Sequence, residues 1–154
     1  MIDMWKTISG QLSDWKFVIV GDGEEKARLM DRVSLESIPN VQFVDFTDPT
    51  PYYEHAKIFW MTSVYEGWPM TLFEAMQKGC VPVVYQSFSS VLDMIDNKEN
   101  GYLVKNDDIS DFESSTITLA RNPFILKKMA DSAIKKVELF DVKQIVEDWK
   151  RLLE

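Results

Sequence analysis

Two carboxylates, Glu66 and Glu74, stand with seven residues between them in the segment Ser63-Val-Tyr-Glu-Gly-Trp-Pro-Met-Thr-Leu-Phe-Glu-Ala-Met-Gln-Lys-Gly-Cys-Val-Pro-Val-Val84. Gly67 and Pro69 interrupt regular structure between them. The breaker-free run that follows predicts a helix over 71–78, with Glu66 in the loop ahead of it and Glu74 about one turn inside. The first amides of a helix lack backbone partners, and with the helix dipole they attract phosphate. Carboxylates repel phosphate but accept strongly from hydroxyls. A phosphate held at the amides of Met70, Thr71 and Leu72 would therefore have a hydroxyl-binding carboxylate on each side. That arrangement suits a ribose at one glutamate and a hexose at the other, which is the layout of a nucleotide-diphosphate sugar. Spacing alone also fits a plainer role, in which Glu74 is an ordinary first-turn glutamate stabilising the dipole.

Such a site must be positioned by strands. Lys16-Phe-Val-Ile-Val20 is a short β-branched run, apolar on both faces as a parallel strand covered by helices should be. Gly21-Asp22-Gly23 ends it, and 24–35 reads as a helix with an acidic first turn. Further strands are expected at 41–44, 58–61, 81–85 and 101–104. Helices are expected at 2–12, 52–55, 87–95, 108–121, 123–139 and 142–153. Thr50-Pro51 marks one helix start, Asn122-Pro123 separates two helices, and Asp141 suits the N-cap of the last. Strands alternating with helices predict one α/β domain over 1–154 with a doubly wound, Rossmann-like parallel sheet. The opening element is a helix, whereas such a half normally opens on a strand.

Ligands of an open α/β sheet bind beyond the carboxyl ends of its strands. Three loops fall there: Gly21 and Gly23 after the first strand, Phe46-Thr47-Asp48 after the second, and 62–70 after the third. The Gly21/Gly23 pair is not the dinucleotide fingerprint, because position 26 is Lys26. It reads either as a tight strand-to-helix turn or as a place where a ligand approaches the backbone.

The net charge of -8 argues against nucleic acid, which needs a basic face. Cys80 is the one cysteine, so a reducing, cytoplasmic setting is expected, with the thiol as a small core residue. No leader pattern precedes the first helix, and no apolar run approaches the ~20 residues of a membrane span. Peripheral membrane contact stays compatible with this composition. His55, the one histidine, has no Ser-His-Asp or Cys-His set around it and reads as a surface residue. Asp107, Asp108, Asp111 and Glu113 read as a helix start and solvated face. Ile145, Trp149, Leu152 and Leu153 form a helical stripe for which core packing is the default, whereas an exposed apolar patch there would support a missing partner surface.

The segment Glu66-Gly67-Trp68-Pro69-Met70-Thr71-Leu72-Phe73-Glu74-Ala75-Met76, followed by Gly79-Cys80-Val81-Pro82-Val83-Val84, resembles the E-G-x-P-x-x-x-x-E-A-M…G-x-P-V-V signature of the retaining glycosyltransferases of family four, also called glycosyltransferase group 1. Val18-Ile-Val-Gly-Asp-Gly23 is similar to their nucleotide-side glycine turn. Asn40-Val-Gln-Phe-Val44, Tyr52-Tyr53 and Asn100-Gly101-Tyr-Leu-Val104 are similar to further family segments. Position 57 departs from the pattern, with Lys57 where Asp is common.

The resemblance implies the C-terminal, donor-binding half of a GT-B enzyme. Glu74 would bind the donor ribose and Glu66, the catalytic carboxylate, the transferred sugar. Backbone amides at Met70, Thr71 and Leu72 would hold the diphosphate, with Gly67 and Trp68 bordering the sugar. Gly21, Gly23, Phe46 and Thr47 would lie along the nucleotide. The resemblance further implies no cofactor and no metal, with a UDP-, GDP- or ADP-linked sugar as substrate. It implies that the N-terminal acceptor domain is absent from these residues, as is the opening strand with the Arg and Lys that neutralise the diphosphate. The expectation is then weak donor binding and negligible transfer by the fragment alone. A competing class is a degenerate, non-catalytic half kept for binding or assembly.

Overall fold

The computed structural model describes residues 1–153, with the backbone alone at positions 143, 144 and 148. The chain opens on α1 (Ile2–Ile8), extended by a 3-10 turn over Ser9–Gln11. Then come β1 (Phe17–Val20), α2 (Lys26–Leu35), β2 (Val41–Val44), α3 (Thr50–His55), β3 (Ile58–Met61), α4 (Met70–Gln77) and β4 (Val81–Tyr85). The chain closes with α5 (Val91–Met94), β5 (Tyr102–Val104), α6 (Ile109–Arg121), α7 (Pro123–Glu138) and α8 (Val142–Leu153). The expected α/β alternation is present. Several boundaries move: α2 begins after Glu24 and Glu25 and has no acid in its first turn. Pro51 stands one residue inside α3. The helix expected over 87–95 shrinks to four residues, because the chain bends at Phe88 and turns at Ser89 and Ser90 ahead of it.

All strand pairs are parallel, but they form two separate sheets. In one, Phe17 pairs with Val41 and Val20 with Val44. In the other, β4 is central: Ile58 pairs with Val81 on one side, and Val83 with Tyr102 on the other. Every residue of β4 is buried, as a central strand with helices on both faces should be. β1 is covered less well than its apolar pattern predicts. Val18 is exposed, and its register partner Gln42 is exposed too. What joins β1 to β3 is side-chain packing: Phe17 and Trp60 lie 4.9 Å apart, and Trp5 packs on both. These rings, with Ile2, Ile8 and Leu12, make one core cluster over the first sheet. Leu72, Met76, Val84, Val91 and Ala133 make a second, under α4 and α7.

Pro82 sits in the central strand, where proline is usually excluded. It is tolerated because pairing with β5 begins only at Val83, so its missing N–H removes no ladder bond. Gly101 approaches it closely there. A Cβ on Gly101 would stand 2.6 Å from Pro82 Cγ and 2.8 Å from the Pro82 carbonyl oxygen. The side-chain carbon can shift but the strand backbone cannot. Asn100 anchors the same turn: buried, it donates to Met94 O at 3.1 Å and accepts from the Asp96 amide at 2.9 Å. Gly101→Ala is expected to lower stability by about 1–3 kcal/mol, read as a lower urea midpoint with an unchanged slope.

Candidate functional site

The parallel pairing brings the carboxyl ends of β1 and β2 together, and β3 delivers its own end into loop 62–69 and then α4. Gly21 leaves β1 with φ +139°, a conformation that favours glycine. Its amide still donates to Val44 O at 3.0 Å, holding the two strand ends level. Asp22 then ties the loops: its carboxylate accepts from the Phe46 amide at 2.9 Å and pairs with Lys26 at 2.6 Å. Lys26 also pairs with Asp45. The Lys26 ammonium, and after it the Phe46 amide, hold the Asp22 carboxyl below its ordinary range. Asp22 and then Asp45 push the Lys26 ammonium above its own. The result is a loop edge with Phe46 82% exposed and Thr47 exposed beside the open space around Gly23. Asp48 caps the entry to α3 by accepting from the Thr50 amide at 2.9 Å.

The second half of the site is loop 62–69 and the start of α4. Ser63 O accepts from the Ser87 hydroxyl, tying this loop to the one after β4. Pro69 is buried and extended (φ -75°, ψ 95°), and α4 starts on it. The helix begins at Met70, one residue early. Pro69 O accepts from the Leu72 amide at 3.1 Å and from the Phe73 amide at 3.3 Å. This corrects one expectation: Leu72 does not present a free amide, and its side chain is fully buried in the core. Met70 and Thr71 are then the orphan donors of the helix, at residues exposed to solvent.

Glu66 and Glu74 are both half-buried, and Gly67 between them has open space where a Cβ would stand. Behind Glu74, Leu72, Ala75 and Met76 are buried, which fixes the helix face that carries it. Glu74 also stands close to Tyr53 of α3. Burial, and after it the Glu74 charge, raises the Tyr53 phenol above its ordinary value. Cys80 is core, as expected: fully buried, it donates to Tyr53 O at 3.3 Å, and burial pushes its thiol up to about 11. His55 is exposed, with Nδ1 2.7 Å from Pro51 O.

The structure therefore gathers Gly21, Gly23, Phe46 and Thr47 at one loop edge. It gathers Glu66, Gly67, Trp68, Met70, Thr71 and Glu74 around one helix start. Two neighbours, Tyr53 and Lys26, acquire a place only here: the i, i+4 spacing of Asp22 and Lys26 signals the second, while Tyr53 stands in the sequence only within the Tyr52-Tyr53 family segment. Of the two readings of the terminal stripe, core packing does not hold: Ile145, Trp149, Leu152 and Leu153 are exposed on α8, and Val142 and Val146 are exposed with them. Among the described residues no helix is long and apolar enough to cross a membrane.

Comparison with known proteins gives this geometry a context. Residues 1–137 match the family of glycosyl transferases, group 1. An uncharacterized glycosyltransferase of Haemophilus influenzae is 30% identical over 99% of this chain and 44% of its own length. The poly(ribitol-phosphate) alpha-N-acetylglucosaminyltransferase of Staphylococcus aureus is 26% identical over 89% of this chain and 28% of its own length. The chain thus spans less than half the length of these curated relatives. Among solved structures, a variant of S. aureus TarM in complex with fondaparinux, alpha-GlcNAc-glycerol and UDP superposes with a TM-score of 0.89. It is 25% identical, over 98% of this chain and 31% of that one. The C-terminal domain of the group 1 glycosyl transferase LpcC from Francisella tularensis has the same fold, with a TM-score of 0.81 and 20% identity. It matches over 92% of this chain and 77% of that one. With parallel sheets, a helix start framed by Glu66 and Glu74, and GT-B neighbours along nearly its whole length, the chain belongs to the glycosyl transferases group 1 family.

Proposed function

We propose that this chain is the C-terminal, donor-binding domain of a retaining glycosyltransferase. It binds a UDP-, GDP- or ADP-linked sugar, whose sugar passes to an acceptor hydroxyl held by a separate N-terminal domain. The observation that carries the reading is the helix start at Met70 and Thr71 with Glu66 ahead of it and Glu74 one turn behind. The two amides receive the diphosphate. Glu74 accepts from the ribose hydroxyls, and Glu66 contacts the transferred sugar and carries the catalytic role. Gly67 and Trp68 border that sugar, while Gly21, Gly23, Phe46 and Thr47 line the nucleotide. The acceptor hydroxyl attacks from the face that the leaving group departs. A relative solved with UDP supports the choice of ligand class. The short share of each relative that the chain spans supports a second domain outside these residues. The break between β1 and β3, bridged by side-chain rings (Phe17 on Trp60, with Trp5 on both) and by no strand pairing, supports a further strand in the complete sheet.

Charge sets the expected strength. Departure of the leaving group builds negative charge on the diphosphate, which needs preorganised positive groups in a dry site. Lys26 is already neutralised by Asp22 and Asp45. A helix start contributes only ~1–2 kcal/mol. The chain alone is therefore a weak binder with negligible transfer, acting in the cytoplasm as part of a longer enzyme. Ligand-observed NMR with UDP, GDP, ADP and their glucose conjugates tests this. Saturable, millimolar-range binding that prefers one base is the expected result. Absence of binding to every nucleotide, both for this chain and for a longer chain carrying the residues upstream, would overturn it.

A further inference from the structure

We infer that Phe140 is a positioning residue for the loop that carries Glu66 and Trp68, an inference that rests on the donor-site reading above. Phe140 closes the turn between α7 and α8. Its amide donates to Val137 O at 2.9 Å, and those of Leu139 and Asp141 donate to Lys136 O and Glu138 O, each at 3.2 Å. The turn is thus a stiff continuation of α7. That helix is itself anchored, through buried Met129, Ala133 and Val137 and through Lys136 paired with Asp96 at 2.9 Å.

From this turn the half-buried ring of Phe140 touches two elements. It meets Trp68 edge-on, with centroids 5.3 Å apart and planes at 62°. It meets Phe73 of α4 at 5.8 Å and 77°. One ring therefore bridges the flank of α4 and the loop ahead of it. Loop 62–69 has little else to fix it: it has no strand or helix, and Val64 and Tyr65 are 73% and 85% exposed. Its ends are tied by the Ser87 hydroxyl on Ser63 O and by buried Pro69. Between them, the ring contact made by Trp68 among the described residues is with Phe140. Glu66 is two residues upstream across the unhindered Gly67, so a swing of Trp68 turns Glu66. A cleft of about 320 Å³ opens beside Phe140, between Phe73, Ile134, Val137 and Val142. The ring is therefore not packed solid on that side, and its hold on Trp68 depends on where α8 leaves the turn.

The site divides accordingly. The nucleotide half stands on α4, whose Leu72, Ala75 and Met76 are core. The sugar half stands on the loop, which Phe140 holds. Loss of this ring should weaken recognition of the sugar and spare the nucleotide.

The test compares the 154-residue chain with Phe140→Ala and Phe140→Tyr in two readouts. The first is the backbone order parameter, from 15N relaxation, at Gly67 and Trp68 against Leu72 and Ala75. The second is affinity for UDP, GDP and ADP against their glucose conjugates. In Phe140→Ala, the order parameters at Gly67 and Trp68 should fall from about 0.85 to under about 0.6 while those of α4 hold. Affinity for the preferred sugar conjugate should fall about three- to tenfold, the scale of losing an aromatic pair. Affinity for the free nucleotide should stay within about twofold, and Phe140→Tyr, which keeps the ring, should restore both readouts. Equal weakening of nucleotide and conjugate, or an unchanged order parameter at Gly67, overturns the positioning role. If neither the unaltered chain nor a longer chain carrying the residues upstream binds nucleotide or conjugate, the donor reading falls. The relaxation readout, which needs no ligand, then upholds or overturns the hold on the loop by itself.

Discussion

Glu74→Ala weakens donor binding by roughly ten- to a hundredfold, the scale of a charged hydrogen-bond acceptor lost from a half-buried site. The carboxylate stands on a helix face whose neighbours Leu72, Ala75 and Met76 are buried, so its position is set before any ligand arrives. Alanine favours the helix and leaves no buried group unpaired, so thermal stability should hold within about 0.5 kcal/mol. Glu74→Gln keeps an acceptor oxygen without the charge and should fall between the two. The measurement is the same ligand-observed titration, run with the nucleotide and with the bare nucleoside. With the role proposed for Glu74 the lost contact is to ribose, so both ligands should weaken together. Equal affinity in Glu74→Ala and the parent would remove the ribose role and leave Glu74 as a dipole-stabilising first-turn residue.

Phe112→Ala should cost about 3–5 kcal/mol of stability. Phe112 is fully buried on α6, edge-on to Trp60 of β3 at 5.3 Å and to Tyr85 of β4 at 5.1 Å. Trp60 in turn packs on Phe17 and Trp5 over the first sheet. Phe112 is thus the ring through which α6 holds the central sheet and reaches the cluster that links it to β1 and β2. Removing it leaves a cavity that rigid strands on one side and a helix on the other cannot collapse. Domains of this size hold a margin of about 5–15 kcal/mol, so the variant should lose a large part of it. Urea unfolding followed by circular dichroism reads the loss as a lower midpoint. Phe112→Leu, which keeps most of the volume, should lose less than half as much. A cost under about 1 kcal/mol for the alanine variant would mean the two sheets are joined elsewhere.

What the sequence determined by itself is what depends on neighbours along the chain. The short runs of β-branched and aromatic residues at 17–20, 41–44 and 58–61 are strands because their side chains fit a half-buried pleated surface. Gly67 and Pro69 stop the loop and Pro69 seeds α4, so the placement of Glu66 ahead of the helix and Glu74 inside it followed from spacing. Asn122-Pro123 divides α6 from α7 as expected, because proline cannot continue a helix interior. The acidic run also behaves locally: Asp108 caps α6 by accepting from the Asp111 amide at 3.0 Å. Tertiary structure decided everything that needs two remote segments to meet. That includes the division into two sheets, the approach of Gly101 to Pro82, the Tyr53 phenol beside Glu74, and the Phe140 ring on Trp68. It also decided which apolar stripes are core. The stripes of α4 and α8 are both apolar and helical in period, yet Leu72 is buried and Trp149 is 61% exposed. Periodicity states which side of a helix avoids water. Only the packing of other elements states whether anything covers it.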